Sequence, residues 1–267
     1  MGALYEIDSR TAELSTIVRS AVTLGPLLVP TSLVAWDKDL ILLSAISDSL
    51  QIWDLETQTS KLVAAFAAPI DAHPFNGDLI VTESSQGRVV RASGSDSFQT
   101  REVIAEAPDA AFLFLAGDNN DVYVSDGARG LVLQIISQQE VLNPPRTITD
   151  DLVSPEGIVM HPGRKNELLV VEAGSNSLLS VDLITGNKRR TIATDLEFMP
   201  GLAELPFGYP NDVTVLDGEI FVNGDGANVI YSITDNEEGG SSSARGAKLE
   251  TKCLFSFLVF VSYFILA

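Results

Sequence analysis

Three oxygen-donor side chains stand one residue after a recurring proline: Asp109 after Pro108, Glu156 after Pro155 and Asn211 after Pro210. Carboxylate and amide oxygens, with no nitrogen or sulfur among them, suit a hard divalent cation such as Ca²⁺ or Mg²⁺. Beside such a cation a carboxylate, Asp109 or Asp212, is placed to act as general base on a metal-bound water. The same slot holds Thr31 after Pro30 and Ile70 after Pro69, and Ile70 brings no ligand atom. A structural role competes with the catalytic one, because polar side chains at such positions also satisfy backbone groups and hold water. Two histidines, His73 and His161, cannot build a His-rich metal site and suit a His-based triad poorly. The lone Cys253 allows no intramolecular disulfide.

Those side chains meet only if the elements carrying them converge. Five segments superpose: DLILLSAISDSLQIWD from Asp39, DLIVTESSQGRVVRA from Asp78, DVYVSDGARGLVLQI from Asp121, ELLVVEAGSNSLLSVD from Glu167 and EIFVNGDGANVIYSI from Glu219. Each opens on an acidic marker and an apolar β-rich run, then crosses a small polar turn. A second alternating run starts 10 or 11 residues after the marker. That is a repeated β-hairpin. Upstream of each hairpin a third run begins at the marker prolines Pro30, Pro69, Pro108, Pro155 and Pro210, which are 39, 39, 47 and 55 residues apart. Downstream, Asp-x-x-Thr recurs at Asp8/Thr11, Asp54/Thr57 and Asp182/Thr185 and leads into a fourth run. An Asp closing a turn on its own backbone suits that place.

Four short strands about every 40 residues predict an all-β chain folded as a β-propeller. A four-stranded blade cannot bury both faces alone, so blades pack side by side. First strands then line a channel, and Asp109, Glu156 and Asn211 are expected near one mouth. The acidic residues closing each second strand, Glu83, Asp126, Glu172 and Asp225, read as structural turn residues. Trp36 and Trp53 are expected in the core between blades, and His161 and the run Lys188–Arg190 at the surface. The Pro- and Phe-rich insert from Phe198 to Tyr209 reads as a lid or as packing for blade edges.

Ala3 to Val18 matches the outer two strands of a blade, by comparison with Leu178 to Ile192. Five further blades follow, the last stopping at Ile233 after three strands. The reading is a six-bladed propeller over residues 1–233, lacking the inner strands of its first blade. Those inner strands, and a signal peptide, are expected upstream of Met1 in a longer form.

Ser154 to Gly186, SPEGIVMHPGRKNELLVVEAGSNSLLSVDLITG, resembles the repeat of the senescence-marker/gluconolactonase and NHL-type six-bladed propellers, with their regucalcin-like and TolB-like relatives. Pro210 to Ile233, PNDVTVLDGEIFVNGDGANVIYSI, is similar to the closing blade of bacterial-type members. The resemblance covers residues 3–233 and implies the fold more sharply than the function. It implies that lactonases of this kind hold a divalent metal in the channel by Glu, Asn and Asp. Glu156 and Asn211 fall at the matching P-E-G and P-N-x positions, with Asp109 in the corresponding place of its own blade. The metal would polarise a lactone carbonyl. The ligand Glu of the family's first-blade motif has no counterpart here.

Asp and Glu number 36 against 17 Lys and Arg, a formal net charge of -19, which argues against nucleic acid as partner. Residues 234–252 form a polar Gly/Ser-rich linker and residues 253–267, CLFSFLVFVSYFILA, an uncharged tail. Small residues Gly240 to Ser243, a spacer and this tail match a GPI-anchor signal, with a tail anchor as the alternative. The opening MGALYEID shows no signal-peptide pattern, so a cell-surface GPI protein requires the upstream segment, and tail-anchored or soluble cytoplasmic forms are the alternatives. The function expected is a monomeric, membrane-attached binding or scaffold propeller that takes a small molecule or protein at its mouth. The alternative is a divalent-metal-dependent lactonase or related hydrolase.

Overall fold

The computed structural model describes residues 3–7, 14–19, 31–57, 59–94, 98–186, 188–198, 211–224, 226, 229–235 and 244–247. The prolines Pro30 and Pro210, Asp8, Thr11, Asp225, most of the Phe198–Tyr209 insert, the anchor-signal residues Gly240 to Ser243 and the tail with Cys253 lie outside them. The fold is an all-β propeller, and the described residues form five four-stranded blades, not six. The first is β3 (Ser32–Trp36), β4 (Asp39–Ser44), β5 (Ser49–Asp54) and β6 (Thr59–Ala65). The second is β7 (Pro69–Phe75), β8 (Asp78–Glu83), β9 (Arg88–Ser93) and β10 (Thr100–Glu106), and the third β11 (Phe112–Gly117), β12 (Val122–Asp126), β13 (Leu131–Ser137) and β14 (Glu140–Thr149). The fourth is β15 (Pro155–Met160), β16 (Glu167–Glu172), β17 (Ser177–Asp182) and β18 (Arg189–Ala193), and the fifth β19 (Val213–Leu216), β20 (Glu219–Gly224), β21 (Val229–Ile233) and β22 (Ala244–Ala247). In each the strands pair antiparallel in chain order.

The N-terminal hairpin, β1 (Ala3–Ile7) with β2 (Leu14–Arg19), forms the two strands expected there as a two-stranded sheet of its own, so the count of six blades is corrected to five among the described residues. The fifth blade does not stop at three strands: β22, inside the stretch expected to be linker, pairs with β21 from Ile230↔Ala247 to Ile233↔Ala244.

The repeat has a local cause in each hairpin. Asn76 and Gly77 both take positive φ, 50° and 85°, which closes β7 onto β8 as a two-residue turn matched to strand twist. The acidic marker faces a donor on the third strand. Arg91 donates to Asp78, Gln134 to Asp121, Ser180 to Glu167 and Ser232 to Glu219, each pair 13 residues apart. Asp54 accepts from the backbone N–H of Glu56 and Thr57, and Asp182 from Ile184 and Thr185, as Asp-x-x-Thr requires.

The chain divides into two compact units between Val103 and Ile104. In the first, Ile41, Leu43, Leu50 and Ile52 of one blade share a core with Leu79, Val81 and Val90 of the next. Trp53 is fully buried, and Trp36 meets Phe98 edge-on with ring centroids 5.9 Å apart. In the second, Leu169, Val171 and Leu178 pack with Ile220, Val222 and Ile233. Alternation along each strand supplies these faces, and side-by-side packing covers them.

Candidate functional site: the first-strand ends of the blades

Glu156 and Asn211 do meet. Both are 1% exposed, at the start of β15 and just before β19. Glu156 Oε2 accepts from the Asn211 backbone N–H at 2.6 Å and from Asn211 Nδ2 at 2.9 Å. The Gly157 N–H donates to the Asn211 carbonyl at 2.9 Å. The two strands approach so closely here that a Cβ on Gly157 would lie 2.6 Å from Asp212 Cα and 2.8 Å from the Asn211 oxygen. Asp212 is half-buried, and its Oδ1 accepts from the N–H of Val213 at 2.7 Å. Its own N–H donates to Asn223 Oδ1. The carboxylate predicted as ligand thus fastens the fourth blade to the fifth.

Asp109 does not join them. It is exposed in a turn before β11. Strand register explains the displacement: Pro69 pairs with Glu83 and Pro155 with Glu172, whereas in the third blade Phe112 pairs with Asp126. Phe112 therefore takes the marker's place and buried Leu113 takes the ligand slot. The described residues bring together two of the three expected oxygen donors. Among them no group of three or more His, Cys, Asp or Glu side chains is arranged to hold a metal ion. Two donors, one with an oxygen already taking two hydrogen bonds, do not make the donor set of a Ca²⁺ or Mg²⁺ site.

The equivalent positions of the first unit behave alike. Thr31 Oγ1 donates to the Pro69 carbonyl at 3.0 Å, and Ser32 Oγ donates to Asp71 Oδ1 at 2.7 Å, joining the first blade to the second. Asp71 is buried, and its N–H reaches Thr82 Oγ1 at 2.9 Å. The acidic residues that close second strands also act structurally. Glu83 accepts from the Ala67 N–H at 2.8 Å, Asp126 from Ala111 at 3.0 Å and Glu172 from Val153 at 2.9 Å. Each pins the loop that feeds its blade's first strand. Arg88 lies 2.6 Å from Glu83, and Arg129 pairs with Asp126.

A second polar cluster joins the same two blades, fourth and fifth, at the far end of their strands. His161 is buried, not at the surface, and Arg190 lies in β18, half-buried and paired with Asp235. Arg190 donates through both terminal nitrogens to Asp235, each at 2.6 Å, and His161 Nε2 lies 3.0 Å from the same carboxylate. Nδ1 of His161 accepts from the Gly163 N–H at 3.1 Å, so Nε2 carries the proton it shares with Asp235. Arg164 stands 3.6 Å from Asp235 and 3.3 Å from Glu167. The Arg190 hydrogen bonds outweigh burial and, with His161, hold the Asp235 carboxyl at about 2. Burial pushes Glu167 up, but hydrogen bonds from Ser180 and Arg164 outweigh it and leave that carboxyl below its usual range. With both imidazole nitrogens engaged, the geometry is a clasp and offers no base to a substrate.

No protein-family model matches the sequence, and no curated protein matches it. Solved structures do. The virginiamycin B lyase from Staphylococcus aureus is 14% identical, over 94% of this chain and 78% of that one, with a TM-score of 0.61. A chain of the nidogen/laminin complex is 15% identical, over 86% of this chain and 84% of that one, at 0.66. The calcium-binding regucalcin from Agrobacterium tumefaciens is 12% identical, over 82% and 75%, at 0.61. At such identities the likeness concerns architecture, and what this chain shares with a lyase, a chain of the nidogen/laminin complex and a calcium-binding protein is the β-propeller fold.

Proposed function

We propose that this chain is a binding propeller, attached to a membrane through residues 253–267, that takes a protein or small ligand at the first-strand ends of its blades. The observation that carries it is the Glu156–Asn211 pairing, which spends the best-placed carboxylate on joining β15 to β19. Leu113 in the third blade's slot and Ile70 in the second's are buried apolar side chains where a hydrolase would want ligands. The match to a chain from a protein–protein complex supports the same reading. With a net charge of -19 a cationic partner is favoured. The test is turnover by the full chain of aldonolactones and acyl-homoserine lactones with Ca²⁺ or Mg²⁺ present. Absence of turnover is expected, and hydrolysis lost on Asp212→Asn contradicts the reading.

The second reading is the divalent-metal-dependent hydrolase, with Glu156 and Asn211 as ligands and Asp109 or Asp212 as base. The meeting of Glu156 with Asn211 favours it, as does the likeness to a calcium-binding propeller. Asp109 would then have to leave its turn, or another donor replace it.

A further inference from the structure

The membrane reading leaves open which end of the propeller meets the bilayer, and the fifth blade carries that information. Its strands align Asp212, Asn223, Ile230 and Ala247 across the sheet, the first two through their backbone groups and the others as register partners. The last described strand therefore ends level with Asp212, at the same end as the Glu156–Asn211 pair. Only five residues, Lys248 to Lys252, separate Ala247 from the uncharged tail. Fully extended they reach at most about 18 Å. Cleavage at Gly240 to Ser243, as a GPI signal requires, would remove β22 and leave β21 an uncovered edge.

We propose that the C-terminal segment is retained and that the first-strand ends of the fourth and fifth blades face the bilayer surface. This rests on the reading of the tail as a membrane anchor. In the fourth blade this end is marked by Val153, 56% exposed, beside Glu172. The opposite end is marked by Ile184, 72% exposed, beyond Asp182. A ligand for the Glu156–Asn211 end would then be met at the membrane surface.

The test places one thiol at either end of the full-length chain, as Cys253→Ser with Val153→Cys or Cys253→Ser with Ile184→Cys. Each labelled protein is reconstituted into phosphatidylcholine vesicles containing a headgroup-borne quencher. Quenching at 153 is expected to exceed that at 184 about threefold or more, since the two ends stand a strand length of about 17–20 Å apart. Equal quenching, or more at 184, in protein that floats with the vesicles overturns the orientation and leaves the attachment standing. Failure to float refutes the attachment and the orientation with it. A mature protein whose intact mass ends at residues 240–243 overturns the retained segment.

Discussion

Replacing Asp235 by Asn should loosen the fifth blade from the fourth and remove a definite part of the protein's acid sensitivity. The Asp235 side chain is 8% exposed, so its hydrogen bonds with Arg190 and His161 are only weakly screened by solvent. Its carboxyl is held at about 2 against an ordinary 3.8. At about 1.4 kcal/mol per pKa unit, the difference is worth roughly 2 kcal/mol. A carboxyl depressed in the folded state stabilises the protein above its unfolded pKa. That stabilisation is lost as pH falls through the folded value, here between about pH 4 and pH 2. Urea unfolding of parent and Asp235→Asn at intervals from pH 6 to pH 2 reads both quantities. The variant should be weaker by roughly 2 kcal/mol at pH 6, and the gap should close toward pH 2. Hydrogen exchange should quicken first in β18 and β21. A variant as stable as the parent at pH 6, or a gap that stays constant on acidification, refutes the clasp.

Gly157→Ala forces a methyl against backbone atoms of Asp212, Asn211 and Val213, which cannot swing aside, and should cost about 1–3 kcal/mol, read as a lowered melting temperature. Asp126→Ala leaves the Ala111 N–H and Arg129 without their acceptor and should cost roughly 2–3 kcal/mol in denaturant titration. Glu156→Ala deprives two buried donors of Asn211 and should destabilise by about 2–4 kcal/mol, whereas Glu156→Gln keeps an acceptor and should lose much less.

The hairpins were legible because their causes are local. Asn76–Gly77 can close a two-residue turn, Asp182 can cap Thr185, and an acidic marker meets its donor 13 residues later. The third blade's slot was misplaced because Pro108 imitates the marker prolines while strand register, a pairing property, hands the position to Phe112. The clasp escaped notice because Asp235 lies 45 residues from Arg190 and 74 from His161. The fourth strand of the last blade, ARGA, has neither β-branched residues nor alternation to announce it, and only pairing to β21 defines it.

The role of the Glu156–Asn211 pair is tested most directly by the metal content of the full-length protein after equilibration with Ca²⁺ and Mg²⁺ and removal of excess. If the carboxylate serves to join β15 to β19, metal stays well below one ion per chain and is unchanged in Glu156→Gln, which keeps the acceptor. One tightly held ion per chain, lost in Glu156→Gln while the fold survives, contradicts the account and makes the pair a metal ligand set.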